Sequence, residues 1–197
     1  MNNTNPFIYS DDNKRYHTLN YYNKSSFNSK VFKAVIDAGF TCPNKDGTKG
    51  TGGCIYCMGG SGYFTEKSDG EIYDSVKRQL AAEKERIYKK HPDSLITAYF
   101  QANTNTYAPV ATLKEAYTAA LDFGVHGISI GTRADCLPDD VIALLCDINS
   151  KTHLTVELGL QTIHDKSAQI INRCYTYDEF LEGYRKLQES GIRTCLH

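Results

Sequence analysis

A chain of 197 residues is long enough to bury one sizeable core and short enough to keep it in one domain. Its 41% hydrophobic and 23% charged content exclude disorder over most of the length, and a formal net charge of −1 excludes a strongly basic overall surface, so any nucleic-acid contact must rest on a local patch. No run approaches the ~18 apolar residues of a membrane span, and the polar N-terminus lacks a signal-peptide core. The expectation is a cytoplasmic, soluble protein whose 7 cysteines are thiols or metal ligands rather than disulfides.

Residues 1–13 are polar and Asn-rich and read as a flexible lead-in. Lys14, Arg15, Lys24, Lys30 and Lys33 are then interleaved with Tyr16, Tyr21, Tyr22 and Phe27, with no acid between. Such a segment either cradles single-stranded nucleic acid, charge to phosphate and ring to base, or wraps the domain with its rings packed and its lysines solvated. We divide the chain into an arm over 1–30 and a core domain over 31–197.

Val31–Ile36 reads as a β-rich run followed at once by a Cys- and Gly-rich stretch. Gly59, Gly60 and Gly62 give a pliable turn, and Ser68-x-x-Glu71 is a capping box before Ile72, Val76, Leu80 and Ile87, which recur at near-helical spacing to about Lys90. A strand over Leu95–Gln101 follows, then the loop ANTNTYAP, a capping box at Thr112-x-x-Glu115, and a helix that Gly124 ends. Gly127–Gly131 is the third strand, and Pro138 opens a helix to about Ile148. His153–Leu160 is the fourth strand. Asp165 caps a short helix to about Ile171, Thr176-x-x-Glu179 opens a longer one that stops at Gly191, and Ile192–His197 is a fifth strand. Strands alternating with helices imply parallel βαβ units with right-handed crossovers.

The fourth strand is the most informative. Leu154, Val156, Leu158 and Leu160 form an apolar face for covering helices, opposite Thr155, Glu157, Gly159 and Gln161. A closed barrel fills that second face with bulky aliphatics, so glycine and polar groups there imply a lumen with room for a ligand. The alternative is that Glu157 pairs with a basic residue of a neighbouring strand.

Three cysteines occupy the stretch after the first strand, CPNKDGTKGTGGCIYC, spaced C-x11-C-x2-C at Cys42, Cys54 and Cys57. Gly47, Gly50, Gly52 and Gly53 let the backbone turn tightly enough to bring the three thiolates together. Structural zinc wants a closed set of four, usually two pairs; a [4Fe-4S] cluster on three cysteines keeps one iron open. Cys136, Cys146, Cys174, Cys195 or a histidine remain candidates for a distant fourth ligand, so spacing alone leaves cluster, zinc and no metal open.

The stretch resembles the cluster loop of the radical S-adenosylmethionine (radical SAM) superfamily, which ends in C-x-aromatic-C, although the superfamily's usual first gap is three residues rather than eleven. With AYFQANTNTYAP, GISIGTRADCL and ELGLQT following in order, the chain from about Tyr16 onward resembles the YhcC/YtqA-like family, relatives of the Elongator catalytic subunit. The resemblance implies a partial (β/α)6 TIM-like barrel of α/β class, here stopping after about the fifth strand. The chain would then be a fragment lacking the sixth unit and a C-terminal domain.

The resemblance further implies that Cys42, Cys54 and Cys57 ligate a [4Fe-4S] cluster whose open iron binds S-adenosylmethionine. One electron, from a donor such as flavodoxin or ferredoxin, would cleave the cofactor to a 5′-deoxyadenosyl radical. Tyr56 is placed to pack near cluster and adenine. Gln101, Asn103, Arg133, Glu157 and Gln161, at strand ends or on the lumen face, are the candidate cofactor residues. Arg133 would fork onto a carboxylate of cofactor or substrate, unless it makes a surface salt bridge; His197 is a weaker candidate. The kinship with the Elongator subunit implies tRNA as partner and editing of a carboxymethylaminomethyl group on the wobble uridine. Two further readings stay open: a radical SAM enzyme on a peptide or small molecule, and a zinc-stapled nucleic-acid-binding module.

Overall fold

A computed structural model describes residues 14–57 and 70–197. The lead-in, the turn at Gly59, Gly60 and Gly62, and Ser68 lie outside the described residues. The elements in order are α1 (Leu19–Phe27), β1 (Val31–Ile36), α2 (Ile72–Tyr88), β2 (Leu95–Phe100), α3 (Val110–Phe123), β3 (Gly127–Thr132), α4 (Asp139–Asn149), β4 (His153–Leu158), α5 (Asp165–Ile170), α6 (Tyr177–Glu189) and β5 (Thr194–Leu196). All five strands pair in parallel in the order β1-β2-β3-β4-β5. Each crossover returns the chain to the next position, which makes an open partial barrel. No described helix is long and apolar enough to cross a membrane.

The two faces of the sheet are chemically distinct. Ala34, Ile36, Ala98, Phe100, Ile128, Ile130, Leu154, Val156 and Leu158 point outward and are buried under α2, α3, α4 and α6 with Val76, Leu80, Leu113, Leu145, Phe180 and Leu187. Side chains alternate along a strand, so Lys33, Thr97, Tyr99, Gly127, Ser129, Gly131, Thr155 and Glu157 turn to the concave face. The strand-four reading therefore holds over 153–158.

The helix ends show where local signals act. Thr176 and Glu179 make the reciprocal capping box of α6, and Gly124 closes α3 in the left-handed region with φ 81°. The other helix starts differ from the expected ones. Pro109 precedes α3, placing Thr112 inside its first turn; α2 starts after Glu71 with no side-chain cap; Pro138 precedes α4 rather than opening it; and His164, not Asp165, precedes α5.

The arm holds a helix that its sequence does not announce. Thr18 Oγ1 accepts from Tyr21 N at 3.0 Å, and Asn28, at φ 50°, ends α1. Two of its rings are spent on packing. Phe27 meets His126 and His153 with centroids 4.3 and 5.0 Å apart, and Tyr22 lies under the Arg193 guanidinium at 4.1 Å. These partners sit at the N-terminal ends of β3, β4 and β5, so α1 closes the barrel end opposite the cysteine stretch. The packed alternative describes Tyr22 and Phe27, while Tyr16 stays 63% exposed.

At Gly183 a Cβ would stand 2.0 Å from the Ala134 carbonyl oxygen, so α6 touches the loop after β3 backbone to backbone. Gly183→Ala is expected to cost about 1–3 kcal/mol by overpacking, measured by urea unfolding.

Candidate active site

The cysteine stretch leaves the C-terminal end of β1 and folds into a tight, hydrogen-bonded loop. Cys42 O accepts from Lys45 N at 2.8 Å, Pro43 O from Lys49 N at 2.8 Å and Asn44 O from Gly53 N at 2.8 Å. Left-handed Gly47, Gly52 and Gly53 make the reversals, with φ of 92°, 80° and 77°. Gly50 has no room for a side chain, since its Cβ would fall 2.3 Å from Asn44 Oδ1 and 2.9 Å from Cys174 Sγ.

The eleven residues of the long first gap dock the loop across the ends of the other strands. Toward β2, Lys45 Nζ donates to Asn103 Oδ1 at 2.7 Å, Asn103 Nδ2 to Phe40 O at 2.8 Å, and Thr48 Oγ1 meets the Tyr107 hydroxyl at 2.9 Å. Beyond β4, Asn172 Nδ2 donates to Gly53 O at 2.8 Å and Ile55 N to Ile171 O at 3.1 Å. Toward β3 and α6, Lys49 Nζ bridges Asp135 Oδ2 at 2.7 Å and Glu179 Oε1 at 3.0 Å.

Asp135 is the centre of this docking. Arg133 grips it with both arms, Nε to Oδ1 at 2.9 Å and Nη2 to Oδ2 at 2.8 Å, and gives Nη1 to the Arg173 carbonyl at 2.9 Å. Arg173, 1% exposed, donates to the carbonyls of Leu160, Thr162 and Tyr175. Both guanidiniums stack on the Tyr175 ring, at 4.7 and 4.3 Å. The expected use of Arg133 is thus corrected: its fork is filled by Asp135, inside the fold rather than at the surface, and is not presented to a ligand carboxylate. Asn103 is likewise committed, to Phe40 and Lys45. Spacing gave no sign of Lys49, Asn172 or Arg173, whose partners lie on other loops, nor of Asp135, which Lys49 reaches from the cysteine loop.

Of the three cysteines, Cys42 is buried at the base of the loop, Cys54 is half-buried and Cys57 is exposed. Cys54 and Cys57 share one turn, with Cys57 N donating to Cys54 O at 2.8 Å. Asn44 Nδ2 lies 3.5 Å from Cys54 Sγ, and Tyr56, half-exposed between Cys54 and Cys57, has its hydroxyl pushed upward by burial and by the neighbouring Cys54. Among the described residues no three His, Cys, Asp or Glu side chains already converge as a metal site, so the loop carries the donors without gathering them. Three soft sulfurs suit iron–sulfur or zinc over hard cations. The candidates for a fourth ligand separate clearly. Burial pushes the Cys136 thiol up to about 12, so it keeps its proton; Cys146 is exposed on α4 and Cys195 lies on β5. Cys174 Sγ lies beside Gly50 of the loop, and Cys136 lies near Cys42 at its base. The loop supplies three soft sulfurs, the number of protein donors that a cluster with one open iron takes, with Cys174 beside them.

Gln101 and Gln161 are exposed at the ends of β2 and β4, and neither makes a side-chain hydrogen bond among the described residues. Glu157 is 4% exposed on the concave face. It pairs with Lys33 Nζ, accepts from His197 Nε2 at 3.0 Å and neighbours the Tyr99 hydroxyl. The basic partner foreseen for Glu157 thus exists, but β2 and β3 stand between the two strands. A cleft of about 970 Å³ opens on the outer side of the loop, lined by Phe40, Tyr107, Val110, Leu137 and Val141. None of the five strand-end candidates borders it.

This parallel half-barrel with three cysteines on its first βα loop has known counterparts. Residues 46–197 match the Radical SAM superfamily, and the chain belongs to it. It is 48% identical to the uncharacterized protein YtqA of Bacillus subtilis, over all of this chain and 61% of that protein. It is 35% identical to protein YhcC of Escherichia coli, over 87% and 54% of the two, and 33% identical to the uncharacterized protein MJ0486 of Methanocaldococcus jannaschii, over 89% and 53%. The chain thus spans little more than half the length of these relatives. The cobalamin-dependent S-adenosylmethionine radical enzyme OxsB, solved with aqua-cobalamin bound, shares the fold with a TM-score of 0.57 and 11% identity, over 82% of this chain and 23% of that one.

Removing Asp135 would leave the buried Arg133 guanidinium without its carboxylate and Lys49 with Glu179 alone. Asp135→Ala is expected to destabilise by about 3–5 kcal/mol, read from chemical unfolding. Glu157 yields a pH dependence. Burial pushes its carboxyl up, but Lys33, Tyr99 and His197 outweigh this and hold it below its ordinary 4.5. A carboxyl lowered in the fold contributes stability that is complete above the unfolded value and lost as pH falls through the folded one. Acid unfolding below about pH 4.5 should therefore be steeper for wild type than for Glu157→Gln.

Proposed function

We propose that this chain is the catalytic core of a radical SAM enzyme in which Cys42, Cys54 and Cys57 hold a [4Fe-4S] cluster, and that its substrate is the wobble uridine of tRNA. The observation that carries the first part is the placement of all three thiols on the loop that leaves β1 at the C-terminal end of a parallel sheet, where α/β proteins bind ligands. When bound, the cluster supplies one electron that splits S-adenosylmethionine and so generates a radical able to take a hydrogen atom from substrate.

The residues of this chain do the rest. Cys42 anchors the loop base, while Cys54 and Cys57 present their sulfurs from one turn. Tyr56, between them, gives an aromatic surface for the adenine. Gln101 and Gln161 offer amides at the rim of the lumen for the cofactor's polar groups. Arg133, Asn103 and Lys49 fix the loop that carries the ligands, so that donors separated by eleven residues act as one set. Flavodoxin or ferredoxin is the class of electron donor such a cluster takes.

The tRNA assignment rests on the resemblance to relatives of the Elongator catalytic subunit. The arm lends less than its composition promises, because Tyr22 and Phe27 are packed at the far end of the barrel. Binding that weakens steeply with salt would support tRNA. Cofactor cleavage without such dependence would favour a peptide or small-molecule substrate.

The deciding measurement is electron paramagnetic resonance of the anaerobically reconstituted, reduced protein with and without S-adenosylmethionine. The wild type should hold about four irons per chain and show a signal that shifts on adding the cofactor, whereas Cys57→Ala should lose both. A colourless protein holding zinc would refute the proposal.

A further inference from the structure

Asn44 stands at the base of the cysteine loop, 0% exposed, and its amide is used at one end only. Nδ2 donates to the Asn172 carbonyl and lies 3.5 Å from Cys54 Sγ, while Oδ1 is buried with no partner among the described residues. Turning the amide over would set its oxygen against two acceptors, so the neighbours fix which end is which. A buried carbonyl oxygen left unpaired is costly and calls for a reason. The fold makes room for it all the same, because Gly50 carries no side chain and a Cβ there would fall 2.3 Å from Asn44 Oδ1.

The amide is also held from behind. Asn172, left-handed at φ 55°, accepts from Asn44 on its carbonyl, gives its own Nδ2 to Gly53 O at 2.8 Å and takes the Cys174 thiol on Oδ1 at 3.3 Å. With one amide hydrogen of Asn44 fixed on the Asn172 carbonyl, the second is left for Cys54. Fastening the loop needs only the first hydrogen, and the Asn172 side chain already fastens it. The Tyr56 hydroxyl also neighbours Cys54, but Tyr56 is 50% exposed and water can replace it. No water replaces a donor that solvent does not reach.

A hydrogen bond to a thiolate that ligates an iron–sulfur cluster favours the state with more negative charge, the reduced one, and so raises the reduction potential. The low dielectric around a buried donor strengthens the effect. We propose that Asn44 is a positioning residue that sets the reduction potential of the cluster through Cys54 and eases the entry of its electron. The inference rests on reading the chain as a radical SAM enzyme and deepens it, because it names a residue that governs the first electron transfer without touching cofactor or substrate.

The test is a potentiometric titration of the reconstituted full chain without S-adenosylmethionine, followed by the electron paramagnetic resonance signal of the reduced cluster. Asn44→Leu has nearly the same shape, admits no extra water and removes the donor. At a fixed applied potential its ratio of reduced to oxidised cluster should fall about tenfold, which is about 59 mV for one electron. Asn172→Gly is the structural control. It suits the left-handed backbone, keeps the carbonyl that holds Asn44 and removes the fastening to Gly53, so it should lower stability and leave the potential where it is. An unchanged potential in Asn44→Leu, or an equal shift in both variants, would overturn the assignment. If Asn44→Leu assembles no cluster, the wild type decides. With asparagine labelled with nitrogen-15 in the side chain, pulsed resonance of the reduced cluster should show coupling to a labelled nitrogen that persists in Asn172→Gly, and absence of that coupling would overturn the assignment as well. A cluster indifferent to Asn44 would leave the radical SAM reading intact, whereas a chain that holds zinc and no cluster would overturn both.

Discussion

The carboxylate of Asp135 is the point on which the upper end of this molecule depends. It is gripped by the Arg133 fork and by Lys49 of the cysteine loop, and Arg133 passes the link to the Arg173 carbonyl. One anion thereby joins the loop after β1, the end of β3 and the segment between α5 and α6. Lone surface ion pairs contribute little, but the side chains of Arg133 and Asp135 are 9% and 4% exposed, and a charge buried with two satisfied partners is costly to disturb. The insertion that lengthens the first cysteine gap is thus a built element. Lys45 and Lys49 give it grips on two other strand ends.

The lower end depends on different chemistry. There α1 sets rings against imidazoles, and burial holds both His126 and His153 below the usual histidine range. The Arg193 guanidinium stands between the Tyr22 ring and His153 Nε2, the latter at 2.7 Å. The polar lumen lies between these two anchored ends, and its width follows from three small residues on β3.

What could be read from the chain alone follows the range of the interactions. All five strands and the helices α2 to α6 were legible because alternation and helical spacing are local. Thr176 and Glu179 cap as expected because nothing competes with them, whereas Thr112 falls inside α3, where Pro109 fixes an earlier start. The loop with the three cysteines was legible from spacing and glycine content. The placement of Arg133 was not, since its proper partner, two residues away, is an acid whose burial depends on Arg173 and Lys49. Helix α1 was missed for the same reason: its apolar contacts are histidines and an arginine that only the folded sheet brings together. Glu157 shows both sides, its lumen position being readable from alternation while its partner, three strands away, depends on the curl of the sheet.

The seat of α1 also settles which way traffic can run. Among the described residues, rings and a guanidinium are laid across the bases of β3, β4 and β5 and cover that end of the lumen. Among the same residues, the approach to Lys33 and Glu157 from that end is blocked by α1, which leaves the end that carries the cysteine loop. The cysteine loop therefore stands at the mouth of the lumen, and any guest of the concave face passes it both on the way in and on the way out.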